Sequence, residues 1–67
     1  MKLMKLTQWK RNGERTMIYI NPVAVFGIYR SDDHTYIDAY TIDAAYTVAE
    51  PVEEVVRIWE EAMNDRR

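Results

Sequence analysis

Nucleophilic catalysis needs a nucleophile held beside a base, and this chain offers one serine, one histidine and no cysteine. Ser31 and His34 fall within a single polar run, Ser31-Asp32-Asp33-His34, which reads as a solvated turn and is a poor place to hold a catalytic pair. Asp32, Asp33 and His34 carry oxygen and nitrogen donors for a metal. Adjacent carboxylates on a loop tip seldom converge, however, and no second cluster completes a coordination shell. Asp38 and Asp43 are candidates for paired carboxylates, but strand alternation sends Asp38 outward beside Gly27. Neither Gly13 nor Gly27 belongs to a phosphate-cradling loop. No enzyme, metal or cofactor is therefore expected, and the remaining chemistry is that of surfaces. Two sets of side chains stand out: Tyr29, Tyr36, Tyr40 and Trp59 as an interaction surface, and Lys2, Lys5, Lys10, Arg11 and Arg15 as a basic patch.

These side chains are positioned by a pattern that is sheet first and helix last. Residues 2 to 9 and 16 to 20 are strand-prone and flank Asn12-Gly13, which suits a type I′ hairpin turn with Arg11 opposite Glu14. That register sets Trp9 across from Thr16, Thr7 across from Ile18 and Leu6 across from Tyr19. Neither face of this hairpin is cleanly polar, which leaves open the face a helix would cover. Asn21-Pro22 marks a corner. Residues 23 to 30 and 35 to 40 then alternate as a second hairpin, pairing Arg30 with Thr35, Tyr29 with Tyr36, Ile28 with Ile37, Phe26 with Ala39 and Val25 with Tyr40. Asp43 is the best turn residue in Thr41-Ile42-Asp43-Ala44, before a short last strand.

From Pro51 onward the period changes to three and four. Val52, Val55, Val56, Trp59, Ala62 and Met63 form one helical stripe with Ile58 at its margin, and Glu53, Glu54, Arg57, Glu60 and Glu61 fill the opposite side. Proline is tolerated at a helix start, Glu53 and Glu54 complement the dipole there, and the terminal arginines suit its other end, where residues 64 to 67 should fray. The expected fold is α+β: a single small domain, residues 1–67, with an antiparallel β-meander of four to five strands (about 2–9, 15–20, 23–30, 35–40 and 45–49) and one C-terminal helix (about 51–64) on one face. Trp59 is read as the helix's core anchor rather than a ligand contact.

A chain of 67 residues without cysteine has neither a large core nor disulfides to stabilise it, which makes a homo-oligomer, a dimer or higher, a natural expectation. No apolar run approaches a membrane span, and the lysine-interrupted start is unlike a signal peptide, so a cytoplasmic protein without membrane insertion is expected. The formal charge of -2 conceals an uneven distribution. Residues 1 to 15 hold five basic side chains against Glu14, and residues 32 to 61 hold nine acidic ones against Arg57. Complementary surfaces meeting within the fold or between subunits are the preferred explanation.

Leu6-Thr7, Asn12-Gly13, Ile20-Asn21-Pro22, Ile28, Asp33 with Thr35, Tyr46 with Val48, and Glu50 followed by Glu53-Glu54-Val55 together resemble the pattern of the small bacterial FlbD/SwrD family over most of the chain. The chain departs from it in having Thr41-Ile42-Asp43-Ala44 where a second Asn-Gly turn belongs and Pro51 at the helix start. Two extra residues also precede Asn12. The resemblance implies a small cytoplasmic accessory protein associated with flagellar operons and motility, without catalytic residues; a prophage or mobile-element product of the same architecture is a further expectation. The expected function is a non-enzymatic protein-interaction module, with a protein partner, acting through a sheet face or the helix. The alternative is a small nucleic-acid-binding regulator using the basic N-terminal hairpin. A single-strand nucleic-acid platform on the tyrosine face ranks below protein binding, because that face is expected to carry Asp38 and no cations among its aromatic side chains.

Overall fold

The computed structural model describes residues 2 to 65 and contains five antiparallel strands in one sheet with one C-terminal helix. The strands are β1 (Met4–Trp9), β2 (Arg15–Ile20), β3 (Val25–Ser31), β4 (His34–Ala39) and β5 (Tyr46–Val48), and the helix is α1 (Val52–Met63). The expected α+β class, its strands and its helix are present. The expectation for Arg66 and Arg67 lies outside the described residues. Across the sheet the order is β2-β1-β5-β4-β3, so the two hairpins are joined by the short β5 and the consecutive strands β2 and β3 form the edges.

The first hairpin corrects the expected register by one residue. Leu6 pairs with Ile18, Gln8 with Thr16 and Trp9 with Arg15. The cause is the turn. Gly13 donates its N–H to the Lys10 carbonyl, Lys10 donates to the Glu14 carbonyl, and Gly13 takes a φ of 88° while Asn12 does not enter the left-handed region. A type I turn followed by a left-handed glycine, rather than a type I′ turn, adds one residue to the loop. Asn12 stabilises it by accepting from the Glu14 N–H and donating to the Glu14 carboxylate, each at 3.0 Å.

A one-residue slip turns β2 over relative to β1, so that Leu6 shares a face with Ile18 and Lys5 one with Tyr19. Met4, Leu6 and Ile20 are now fully buried and pack with Ile37, Val48, Val55 and Ala62, with Ile18, Ile28, Tyr46, Ile58 and Trp59 around them. Met17 and Tyr19 are exposed on the other side.

Between the hairpins the chain makes a 3-10 turn over Pro22–Ala24 where a strand start was expected. Asn21 accepts from the Val23 N–H at 2.9 Å, and buried Pro22 offers its carbonyl to Trp59 Nε1 at 3.1 Å. The second hairpin keeps the expected pairs from Arg30–Thr35 to Gly27–Asp38, then breaks at a bulge that sets Val25 opposite Ala39. Phe26, expected opposite Ala39, is displaced to the strand edge and is 59% exposed. At the hairpin tip Asp32 takes a positive φ of 55°.

The helix stripe is rotated from its expected centre. Val55 and Ala62 are buried and Ile58 and Trp59 partly so, whereas Val56 and Met63 are exposed. Because Trp59 is tied to Pro22 near the β3 edge, α1 rolls toward Ile58 and turns Val56 and Met63 outward. On the solvent side Arg57 bonds Glu54 at 2.6 Å and Glu61 at 2.7 Å.

Candidate functional site

With one helix on one face, the other face of the sheet stays open. Strand register sets its residues in a row. Trp9 pairs with Arg15; the Gln8–Val48 pair puts Trp9 beside Thr47; Thr47 pairs with Tyr36 and Tyr36 with Tyr29. The row across five strands is thus Arg15, Trp9, Thr47, Tyr36, Tyr29. Tyr36 and Tyr29 stack at 5.6 Å between centroids, His34 lies 6.4 Å from Tyr36, and the Arg15 guanidinium sits 4.3 Å above the Trp9 ring.

β1 and β4 flank β5 and so lie two strand spacings, about 10 Å, apart. The central Thr47 is small, which makes Trp9 and Tyr36 the walls of a cleft of about 560 Å³. Gln8, Lys10, Arg11, Gly13, His34 and Ala45 complete its lining. The β1–β5 seam that sets this spacing is held by few bonds. Ala49 donates to the Thr7 carbonyl at 2.8 Å, and where β5 ends, the Glu50 carboxylate accepts the Thr7 N–H at 3.0 and 3.1 Å.

The candidate basic residues separate into groups. Lys10 and Arg11 line the cleft, Arg15 caps its Trp9 wall, Lys5 shares the open face beside Tyr19, and Lys2 precedes β1 away from the cleft. The two charged ends, expected to meet within the fold or between subunits, form no ion pair with one another within the fold: among the described residues the ion pairs involve Arg30 and Arg57, and none of these five cations takes part in one. The expectation of a tyrosine face without cations is corrected: β1 turns Lys5 and Trp9 onto that face, and the one-residue slip brings Arg15 opposite Trp9 there.

Asp38 does lie outward beside Gly27, as strand alternation requires. Partial burial and then the neighbouring Asp38 carboxylate raise the Tyr29 hydroxyl above its ordinary pKa, so it stays a protonated donor near neutrality.

The candidate interaction residues divide in the same way. Tyr29 and Tyr36 belong to the open face. Tyr40 lies past β4, 77% exposed, with its ring 4.6 Å from Phe26. Trp59 joins Phe26, Val25, Gly27, Ile28 and Val56 around a shallow apolar groove at the β3 edge. Trp9 is the site residue that sequence reasoning missed; its position opposite the tyrosines depends on the non-local β1–β5 pairing.

Ser31 and His34 face each other as the last pair of their hairpin, both exposed and with no hydrogen bond between their side chains. Among the described residues no three His, Cys, Asp or Glu side chains converge on a possible metal position, and no helix is long and apolar enough to cross a membrane. No family model, curated protein or solved structure matches this chain, which leaves the open face and its charges as the guide to what it does.

Proposed function

We propose that this protein is a small non-enzymatic interaction module that works through the open face of its sheet. The observation that carries it is the row Arg15–Trp9–Thr47–Tyr36–Tyr29: aromatic side chains aligned across an uncovered face, with cations alongside. Aromatic patches of this kind mark binding surfaces more often than solvated ones. An accessory role, which the FlbD/SwrD resemblance implies, fits a domain this small that presents a surface in place of a catalytic centre.

The test is the double variant Tyr29→Ser with Tyr36→Ser. Removing a core aromatic costs about 3–5 kcal/mol, whereas surface positions usually stay within about 0.5 kcal/mol. The double variant is expected to keep the wild-type circular dichroism while losing the macromolecules that the wild type retains from a cell extract. If it unfolds, the tyrosines belong to the folding core and the open face is not a binding surface.

Self-association is a second reading, favoured by a different observation. The exposed Phe26–Tyr40 pair adjoins the Trp59 and Val56 groove on the free edge of β3, an apolar surface beside unpaired backbone groups. Sedimentation equilibrium of Phe26→Ser with Val56→Ser should show a monomer where the wild type is a dimer or larger. A monomeric wild type rules this out.

A further inference from the structure

We propose, building on the interaction-module reading of this face, that the cleft between Trp9 and Tyr36 binds single-stranded nucleic acid, with bases stacked on the aromatic row and phosphates on Lys10, Arg11 and Arg15. The walls are flat rings, two strand spacings apart, over the small side chains of Thr47 and Ala45. Planar bases of any identity can stack on such walls, and stacking is sequence-tolerant because every base presents a π-face.

Charge selects among planar ligands. Lys10 and Arg11 line the cleft, Arg15 lies over the Trp9 ring, and none of the three is neutralised by a carboxylate among the described residues. The nearby Glu14 is held at the turn by Asn12. Asp38 lies two residues along β4 from Tyr36 with its carboxylate over Gly27 of β3, on the far side of the aromatic row from the cations, and so fixes a polarity: phosphates belong at the β1–β2 end and bases extend toward Tyr36 and Tyr29. The outer side of α1, with Glu54, Glu60 and Glu61, faces away from the sheet and repels a polyanion from the opposite approach, while Glu53 lines a separate cavity on the helix side of Trp9 with Thr35 and Val48. A duplex keeps its bases stacked on one another and cannot deliver a face to the cleft, so single strands are preferred. An acidic, aromatic-bearing peptide carries the same charge with fewer flat faces, and it forms the comparison arm of the test.

The experiment is fluorescence anisotropy of labelled 12-nucleotide oligo-dT and oligo-U, a duplex of equal length, and a glutamate–tyrosine peptide. Single strands should bind with a dissociation constant on the order of 10⁻⁴–10⁻⁶ M, and three phosphate contacts should give a log–log salt slope of about -2. Trp9→Ala should weaken binding roughly 5- to 150-fold, the loss of one stacked base. Lys10→Glu with Arg11→Glu, on an exposed turn where folding is not at stake, should abolish it, while Glu60→Gln with Glu61→Gln should leave it unchanged. No single-strand binding at low salt, equal binding of duplex, indifference to Trp9→Ala, or binding of the peptide alone would each overturn the assignment. If single strands do not bind while the Tyr29 and Tyr36 double variant stays folded and loses its retained partners, only the nucleic-acid assignment fails; if that double variant unfolds, the binding-face reading fails with it.

Discussion

Glu50→Ala should loosen the cleft from behind. β5 is three residues long and meets β1 at one register pair, so the Thr7 N–H has no strand carbonyl to bond. The Glu50 carboxylate takes its place, accepting that N–H through both oxygens from a part-buried position 43 residues away. A hydrogen bond to a charged group contributes about 1.5–3 kcal/mol, and partial solvent access lowers this to about 1–2 kcal/mol. For a domain this small, each kcal/mol shifts the melting midpoint by about 4–8 °C, so Glu50→Ala should melt about 5–15 °C lower. Glu50→Gln keeps an acceptor oxygen at the same place and should recover most of the difference. Thermal unfolding followed by circular dichroism measures the shift, and amide exchange localises it, with the Thr7 N–H losing protection in the alanine variant alone. Equal melting of alanine variant and wild type would show that the seam does not depend on this carboxylate. Equal loss in both variants would show that the charge acts at long range rather than as an acceptor.

Trp59→Phe should cost about 1–3 kcal/mol in urea unfolding, because the Pro22 carbonyl loses its 3.1 Å partner in a buried corner; a cost below about 0.5 kcal/mol would make Trp59 a groove residue without an anchoring role. On the helix, the hydrogen bond from Arg57 lowers the Glu54 pKa below 4.5, its ordinary value. A group with a depressed folded pKa contributes stability above its unfolded pKa and loses it as pH falls through the folded one. The melting midpoint of wild type should therefore fall further than that of Glu54→Gln as pH drops below about 4.5, with 1 M salt reducing the difference. Parallel pH profiles of the two proteins would contradict it.

The elements were legible in the sequence because each has a local cause. Asn12-Gly13 marks a turn, Asn21-Pro22 a corner, and the Val52, Val55, Val56, Trp59, Ala62 and Met63 spacing a helix, though not the rotation that buries Ile58 more than Val56 and Met63. The faces of the first hairpin were not, since Leu6-Thr7 and Ile18-Tyr19 each place an apolar or aromatic residue beside one that suits either side. Binary pattern then sets no register, and the turn decides it: Gly13 can serve a type I′ turn or a left-handed position after a type I turn, and the two differ by one residue. In the second hairpin, Ile28–Ile37 and Tyr29–Tyr36 are each consistent within a face, so that register was legible as far as Gly27. The bulge beyond it displaces Phe26 beside Gly27, a lone glycine inside a strand, and that signal marks a bulge without fixing which residue it displaces. Trp9 entered the site through β1–β5 pairing, a contact between residues about 40 apart that no local pattern encodes.

That same slip connects the charge distribution with the fold. Had Thr7 faced the core, Lys5, Trp9 and Arg15 would have lain beneath α1 in place of Met4, Leu6 and Ile20, with no carboxylate there to pair them, since Glu54 and Glu61 hold Arg57 on the solvent side. With Leu6 inside, the acidic side chains stay on the solvent side of α1, and the cations of the first hairpin either share the open face with the tyrosines or flank it at the turn. A formal charge of -2 is then the sum of two opposed surfaces rather than a measure of either. A polyanion is attracted by one and repelled by the other, so salt should weaken binding at the open face while leaving the attraction of cations to the helix as a separate event. The fold therefore gives a chain with acidic overall balance one face on which an anion can dock, and the narrow β1–β5 seam holds that face in register.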